Sequence, residues 1–455
     1  MRRLLPLGLA PLCVALAQDQ RIVTEPVIPQ SCATLAARLS SEKGRLHEED
    51  ERKLDTARIQ QALDSCPAGR AVELKSGAGN AFLSGPLDLR RGVTLLVDAG
   101  VTLFASRDPR VYDIQSGVCG TVSQTGGRGC RALINGNQLE GAGVMGDGVI
   151  DGRGGEPLLG KDVAQRVTWW DLAEQARAGG IQNNFRLIVL SRCDNFTLYR
   201  ITLKNSPNFH VAYNSGSGFT VWGVHIDAPK NARNTDGIDP GNSTNVTIAN
   251  SYIRVGDDNV AIKAGAGNPT THMTIAHNHF YYGHGMSIGS ETNGGASAIR
   301  VTDLSIDGAD NGIRIKSNSA RGGLVRDISY EDVCIRATKN PILLDTHYSG
   351  NGGVETGERI PDFRDIVLRN VRIFAPGKIT LDGFDAAHRL GLTFDGVFVD
   401  PVRSVQIAAD HADVKVGPGL VNFLLSGEDV HTMISGKGLG SANSCEGKFV
   451  PFPAN

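Results

Sequence analysis

A short motif of alternating residues recurs down the middle of the chain and limits the folds open to it. Asn195-Phe196-Thr197-Leu198 returns as Gly218-Phe219-Thr220-Val221, Asn245-Val246-Thr247-Ile248 and His272-Met273-Thr274-Ile275. The second residues fall at 196, 219, 246 and 273, in steps of 23, 27 and 27. Weaker copies follow at Ile299-Arg300-Val301, Asp327-Ile328-Ser329 and Asp365-Ile366-Val367. A second column, Ile238, Val260, Met286, Ile313 and Ile342, advances by 22, 26, 27 and 29. Repeats this short cannot each bury a core, so they must stack on one another. Apolar and β-branched residues alternate with polar ones, and Gly or Asn stands at the corners, which is strand-and-turn chemistry. The pattern predicts an all-β fold, a right-handed parallel β-helix in which each repeat is one rung. A β-propeller would need longer repeats of four antiparallel strands. A length of 455 residues ordinarily implies about three domains, but a solenoid grows as one.

The ends read differently. Arg2 and Arg3, the apolar run Leu4 to Leu16 and the small-x-small pattern Ala15-Leu16-Ala17 predict a signal peptide over 1–17, with export and cleavage before Gln18. The run is too short to span a bilayer, and no later stretch could, so no membrane partner is expected. Residues 18–70 read as an extended leader followed by a capping helix, because an open coil exposes its apolar cross-section. The stretch Cys32 to Cys66 is its most helix-like part, with Asp55 placed to cap Thr56 to Leu63. Residues 71–455 read as the parallel β-helix and a C-terminal tail packed along its outside after Gly436. A helical excursion interrupts the coil between Leu158 and Ile181; its Trp169 and Trp170 fit buried packing better than a sugar-stacking platform. The last rungs look irregular, with strands over Leu390 to Phe394 and Val402 to Ile407.

Seven cysteines remain after the signal, and an exported chain can bridge them. Proximity pairs Cys32 with Cys66 and Cys119 with Cys130. An odd count leaves at least one thiol free, and Cys193 or Cys334, each inside a strand, is the expected one.

Function is concentrated between Asn234 and Lys316. Asn234-Thr235-Asp236, Gly256-Asp257-Asp258, Gly283-His284-Gly285 and Arg314-Ile315-Lys316 lie about one repeat apart. Asp236 and Asp258 each stand two residues before the column residues Ile238 and Val260, and His284 two before Met286. In a coil these side chains stack on successive rungs, about 4.8 Å apart. Arg314 and Lys316 alternate on one strand and point the same way, while the parity of the Asp residues relative to them stays open. Any one Asp-Gly or Asn-Gly pair is an ordinary turn former. Three carboxylates within two rungs, however, repel one another and raise at least one pKa, so stability alone does not account for them. Glycoside hydrolysis needs carboxyl groups of different protonation state, one to protonate the leaving oxygen and one to activate water. The adjacent cations suit a sugar that carries a carboxylate. A net charge of -2 gives no general basic field, so no nucleic-acid partner is implied.

The four motifs, in this order and spacing, resemble those of the polygalacturonases of glycoside hydrolase family 28. The likeness extends to Phe82-Leu83-Ser84-Gly85-Pro86, Asn205-Ser206-Pro207-Asn208-Phe209-His210 and Gly285 to Glu291, and is strongest to the bacterial secreted endo-acting enzymes. It implies an inverting mechanism on polygalacturonate, with Asp257 as general acid, Asp236 and Asp258 holding the attacking water, and His284 beside the acid. It further implies that Arg314 and Lys316 bind the galacturonate carboxylate, with Tyr348 and Asn234 also on the substrate. No metal or organic cofactor is implied. The expected partner is an acidic polysaccharide, and a monomer is expected. The competing expectations are an exo-acting polygalacturonase, a calcium-dependent pectate lyase on the same coil, rhamnogalacturonan hydrolysis, and a β-helix that binds pectin without cleaving it.

Overall fold

The computed structural model describes residues 18–124, 129–160, 166–350, 356–374, 377–436 and 443–454. The expected signal peptide and residues 125–128 of the loop between Cys119 and Cys130 lie outside the described residues.

Short parallel strands wind into a right-handed coil with three faces. One face runs through Ile188–Ser191, Val211–Asn214, Ile238–Gly241, Val260–Ile262, Met286–Gly289, Asn311–Lys316, Asn340–Asp345 and Lys378–Asp382. A second runs through Gly143–Met145, Thr197–Tyr199, Ser217–Trp222 and Thr244–Ala249. A third runs through Val149–Asp151, Thr202–Lys204, His225–Asp227 and Tyr252–Arg254. From Thr270–Phe280 onward the second and third faces join into single long strands.

The registers match the repeat column by column. Phe219 pairs with Val246, Val246 with Met273 and Met273 with Ile299. Ile238 pairs with Val260, then Met286, Ile313 and Ile342 in turn. All five of that second column are fully buried, so the steps seen in the sequence are the rungs of one continuous apolar core. Each buried Ile or Val removes apolar surface worth about 2 kcal/mol from water, and the stack adds this rung after rung.

Helix α1 spans Thr56–Ser65 and buries Ile59 and Leu63 in that core. Asp55 does not cap it. Its carboxylate accepts from the Arg58 guanidinium and the Leu83 N–H instead. Most of Cys32 to Cys66 is not helical either. Ser31–Ala36 is a strand, because the coil's open edge at Arg70–Lys75 offers it a full parallel ladder. Helix α2, Trp169–Ala176, lies in the predicted excursion and carries a capping box between Thr168 and Asp171. Trp169 is fully buried edge-on against Phe185 and Tyr112. In the last rungs Val402–Ser404 is a turn of 3-10 helix, and the strand begins at Gln406.

Cys32–Cys66 and Cys119–Cys130 are bridged as expected. Cys334 is not free: it pairs with Cys445, 111 residues later. That pairing was not legible because it depends on the tail running back along the outside of the coil. There Phe452 lies over Arg254, and the Val450 carbonyl accepts from Tyr281. Cys193 is the buried free thiol.

Candidate active site

The first face carries a cleft of about 830 Å³ at the middle of the coil. All eight side chains singled out in the sequence line it. Asp236, Asp257, Asp258 and His284 occupy the turns leading into three successive strands. Arg314 and Lys316 stand on the next strand, and Tyr348 lies just past the one after.

The motifs owe their composition to the stacking of these turns. The Thr235 hydroxyl accepts from the Gly256 N–H one rung on, at 2.9 Å, and donates to the Ala232 carbonyl. Buried Asn259 does the same for the next turn, accepting from the Gly285 N–H at 2.9 Å. Gly285 has φ +75°, and a Cβ there would lie 2.2 Å from the Asn311 carbonyl oxygen, so only glycine lets the rungs close.

Asp258 is the best-held group. Arg314 donates to it at 3.1 Å, Lys316 at 2.9 Å and the Ser287 hydroxyl at 2.7 Å. The open parity is thereby resolved, since both cations reach the same carboxylate. Burial works to raise the pKa of Asp258, but Lys316 and Arg314 outweigh it and hold the group well below the usual range. Asp257 bonds the Nδ1 of His284 at 3.0 Å. Burial again opposes ionisation, but His284 wins and Asp257 also lies below the usual range. Burial pushes His284 down, and its bond to Asp257 more than reverses this, so its pKa is raised. Asp236 differs. It is buried, one of its oxygens has no partner among the described residues, and burial reinforced by Asp257 and Asp239 raises its pKa well above normal. Of the three carboxyls, Asp236 is therefore the one whose surroundings favour the protonated form.

Arg314 and Lys316 also sit 5.3 Å from the centre of the Tyr348 ring, within cation–π range. Asn234 accepts from Gln182 at 2.8 Å, which fixes its amide at the rim.

Two residues escaped the sequence reading. Asp239 is buried beside Asp236 with both oxygens unpartnered among the described residues, and burial pushes its pKa up to about 7. Lys263 lines the cleft as a further cation. Neither was given a role from the sequence; the signal was their place beside the second column, at Ile238 plus one and Val260 plus three.

A metal could be sought at Asp257, Asp258 and His284, whose ligand atoms lie within 4.8 Å of one another. The donor set fits calcium poorly. Calcium takes six to eight oxygens, whereas both Asp258 oxygens are engaged by cations and the His284 Nδ1 by Asp257.

With this geometry in view, comparison with known proteins is decisive. The sequence profile of glycosyl hydrolases family 28 matches residues 66–412. The chain belongs to that family. It is 40% identical to a polygalacturonase of Ralstonia nicotianae over 94% of this chain and 92% of that one. It is 43% identical to an endo-polygalacturonase of Pectobacterium carotovorum subsp. carotovorum over 84% and 90%. The solved polygalacturonase from Erwinia carotovora ssp. carotovora superposes with a TM-score of 0.79 at 40% identity, covering 87% of this chain and all of that one. The family-28 chain described here is a glycoside hydrolase on the parallel β-helix read from its repeats.

Proposed function

We propose that this family-28 chain is an endo-acting polygalacturonase that hydrolyses α-1,4 bonds of de-esterified pectin with inversion. The observation that carries this is the clamp of Arg314 and Lys316 on Asp258, the immediate neighbour of Asp257 in its pair with His284. It sets two fixed cations beside the acids, where a galacturonate carboxylate can be held with its linkage against them.

In the proposed mechanism Asp257 protonates the glycosidic oxygen as the C1–O bond breaks. A water held by Asp236 and Asp258 adds to C1 from the opposite face and gives its proton to them. Asp236 favours its protonated form while Asp257 is held low, so the substrate must shift the balance between them. A galacturonate carboxylate arriving at Arg314 and Lys316 adds a negative charge beside Asp257 and weakens the cations' hold on the acids. Both effects raise the pKa of Asp257. Asp236 then gives up the proton and becomes a base, and the cluster titrates as one unit. Tyr348 shields the cations from water, which strengthens their grip on the carboxylate.

The lyase reading is disfavoured by the poor calcium donor set. Three disulfides among the described residues support action outside the cytoplasm, with residues 1–17 as the export signal. No helix among the described residues is long and apolar enough to cross a membrane. The test is product length over time on polygalacturonate with a chelator present. Mixed oligomers appearing early support endo hydrolysis, galacturonate alone points to exo attack, and loss of activity with chelator refutes the metal-free reading.

A further inference from the structure

The outward residues of the cleft strands form columns of their own. Ile262 pairs with Ile288 and Gly289 with Lys316, which puts Lys263, Gly289 and Lys316 in one column, two lysines separated by a glycine. By rung spacing the two lysine backbones lie about 10 Å apart along the coil. The gap between them holds no side chain, and none fits: a Cβ on Gly289 would meet the Lys316 carbonyl oxygen at 2.0 Å. The column then reverses sign, as Lys316 is followed by Asp345 and Asp382 on the next rungs.

The two lysines are differently committed. Lys316 is bonded to Asp258. The Lys263 ammonium makes no hydrogen bond among the described residues. Its one carboxylate neighbour within 4 Å there is Glu291, at 3.8 Å. Lys263 nonetheless faces the same cleft, its side chain 24% exposed. A polar chain with a carboxylate on every sugar would meet this charge as it crosses the acids.

We propose that Lys263 is a second carboxylate receptor, binding the galacturonate next to the one held by Arg314 and Lys316. This rests on the polygalacturonase reading and deepens it, because the enzyme then requires free acids on both sides of the bond it cuts. Lys263 is a specificity-determining residue, and a methyl ester at its position removes the charge it binds.

The experiment is calorimetric binding of tetragalacturonate to the Asp257→Asn chain with Lys263 intact, Lys263→Met or Lys263→Arg. Loss of one charge-assisted contact raises Kd roughly tenfold or more in Lys263→Met. Lys263→Arg restores most of the affinity, and a fully methyl-esterified tetramer distinguishes none of the three. An unchanged Kd in Lys263→Met, or an equal loss for the esterified tetramer, overturns the proposal. If Lys263→Met does not fold, the intact wild-type enzyme decides on partly esterified pectin. Cleavage only between two free acids supports the proposal, and cleavage beside an ester on the Lys263 side overturns it. Binding without cleavage by the wild type would sink the polygalacturonase reading alone. No binding of tetragalacturonate by the wild type would sink both.

Discussion

Removing the guanidinium of Arg314 tests the clamp from two directions. Arg314 is buried and holds Asp258 at 3.1 Å, while Lys316 holds the other oxygen at 2.9 Å. In the proposed complex Arg314 also meets the substrate carboxylate. A hydrogen bond to a charged group is worth about 1.5–3 kcal/mol, so Arg314→Ala should raise KM for polygalacturonate roughly 10- to 150-fold. The second effect falls on Asp258. Its carboxyl is held low chiefly by Lys316 and Arg314. With one cation gone its pKa moves up, and a base that must be ionised is lost at higher pH than before. The acidic limb of kcat should therefore shift toward neutral pH in Arg314→Ala. Arg314→Lys should keep much of that limb while still weakening KM, because an ammonium cannot bind a carboxylate with two parallel bonds. The assay is initial release of reducing ends across the acidic range, with thermal melting to verify folding. An unchanged KM together with an unmoved acidic limb would refute both the carboxylate recognition and the clamp.

Asp257→Asn should abolish turnover yet bind galacturonate oligomers with near-native affinity; near-normal turnover would reject it as the acid. His284→Gln removes the partner that holds Asp257 down, so the Asp257 pKa should rise and the alkaline limb of the kcat profile should move to higher pH; an unmoved limb would contradict the pairing. Buried His210 has its pKa pushed down to about 4 by burial. The native state then binds fewer protons than the unfolded state between about pH 4 and 6.5, so stability is lost as pH falls through that window. This group alone accounts for about 3 kcal/mol. Denaturant melts of wild type and His210→Gln should converge toward pH 4, and parallel curves would contradict the assignment. Cys445→Ser opens a loop of 111 residues, for which chain entropy predicts a loss of about 4 kcal/mol or more. Calorimetry should show a clear drop in Tm, and an unchanged Tm would mean that Phe452 and its neighbours hold the tail unaided.

The coil was legible because stacking repeats the same demand at the same offset. Ile238, Val260 and Met286 fill one place on successive rungs, so their spacing alone gives the register. The same logic found Asp236, Asp258 and His284, which hang at a constant distance from that column. What failed was whatever depends on contacts between distant surfaces. Ser31–Ala36 became a strand because an edge was waiting for it. Cys334 found Cys445 because the tail doubles back. Asp239 and Lys263 had no role legible in the sequence, because their importance arises only where two outward columns meet the cleft, past the corner between turn and strand.

The central claim is that one buried acid cluster, gripped by cations, cuts a glycosidic bond by adding water from the far side. Proton NMR of the earliest products from polygalacturonate, with a chelator present, tests it most directly. Saturated oligomers carrying the β-anomer at their new reducing ends are the expected result. Unsaturated products, or new ends that first appear as the α-anomer, would contradict it.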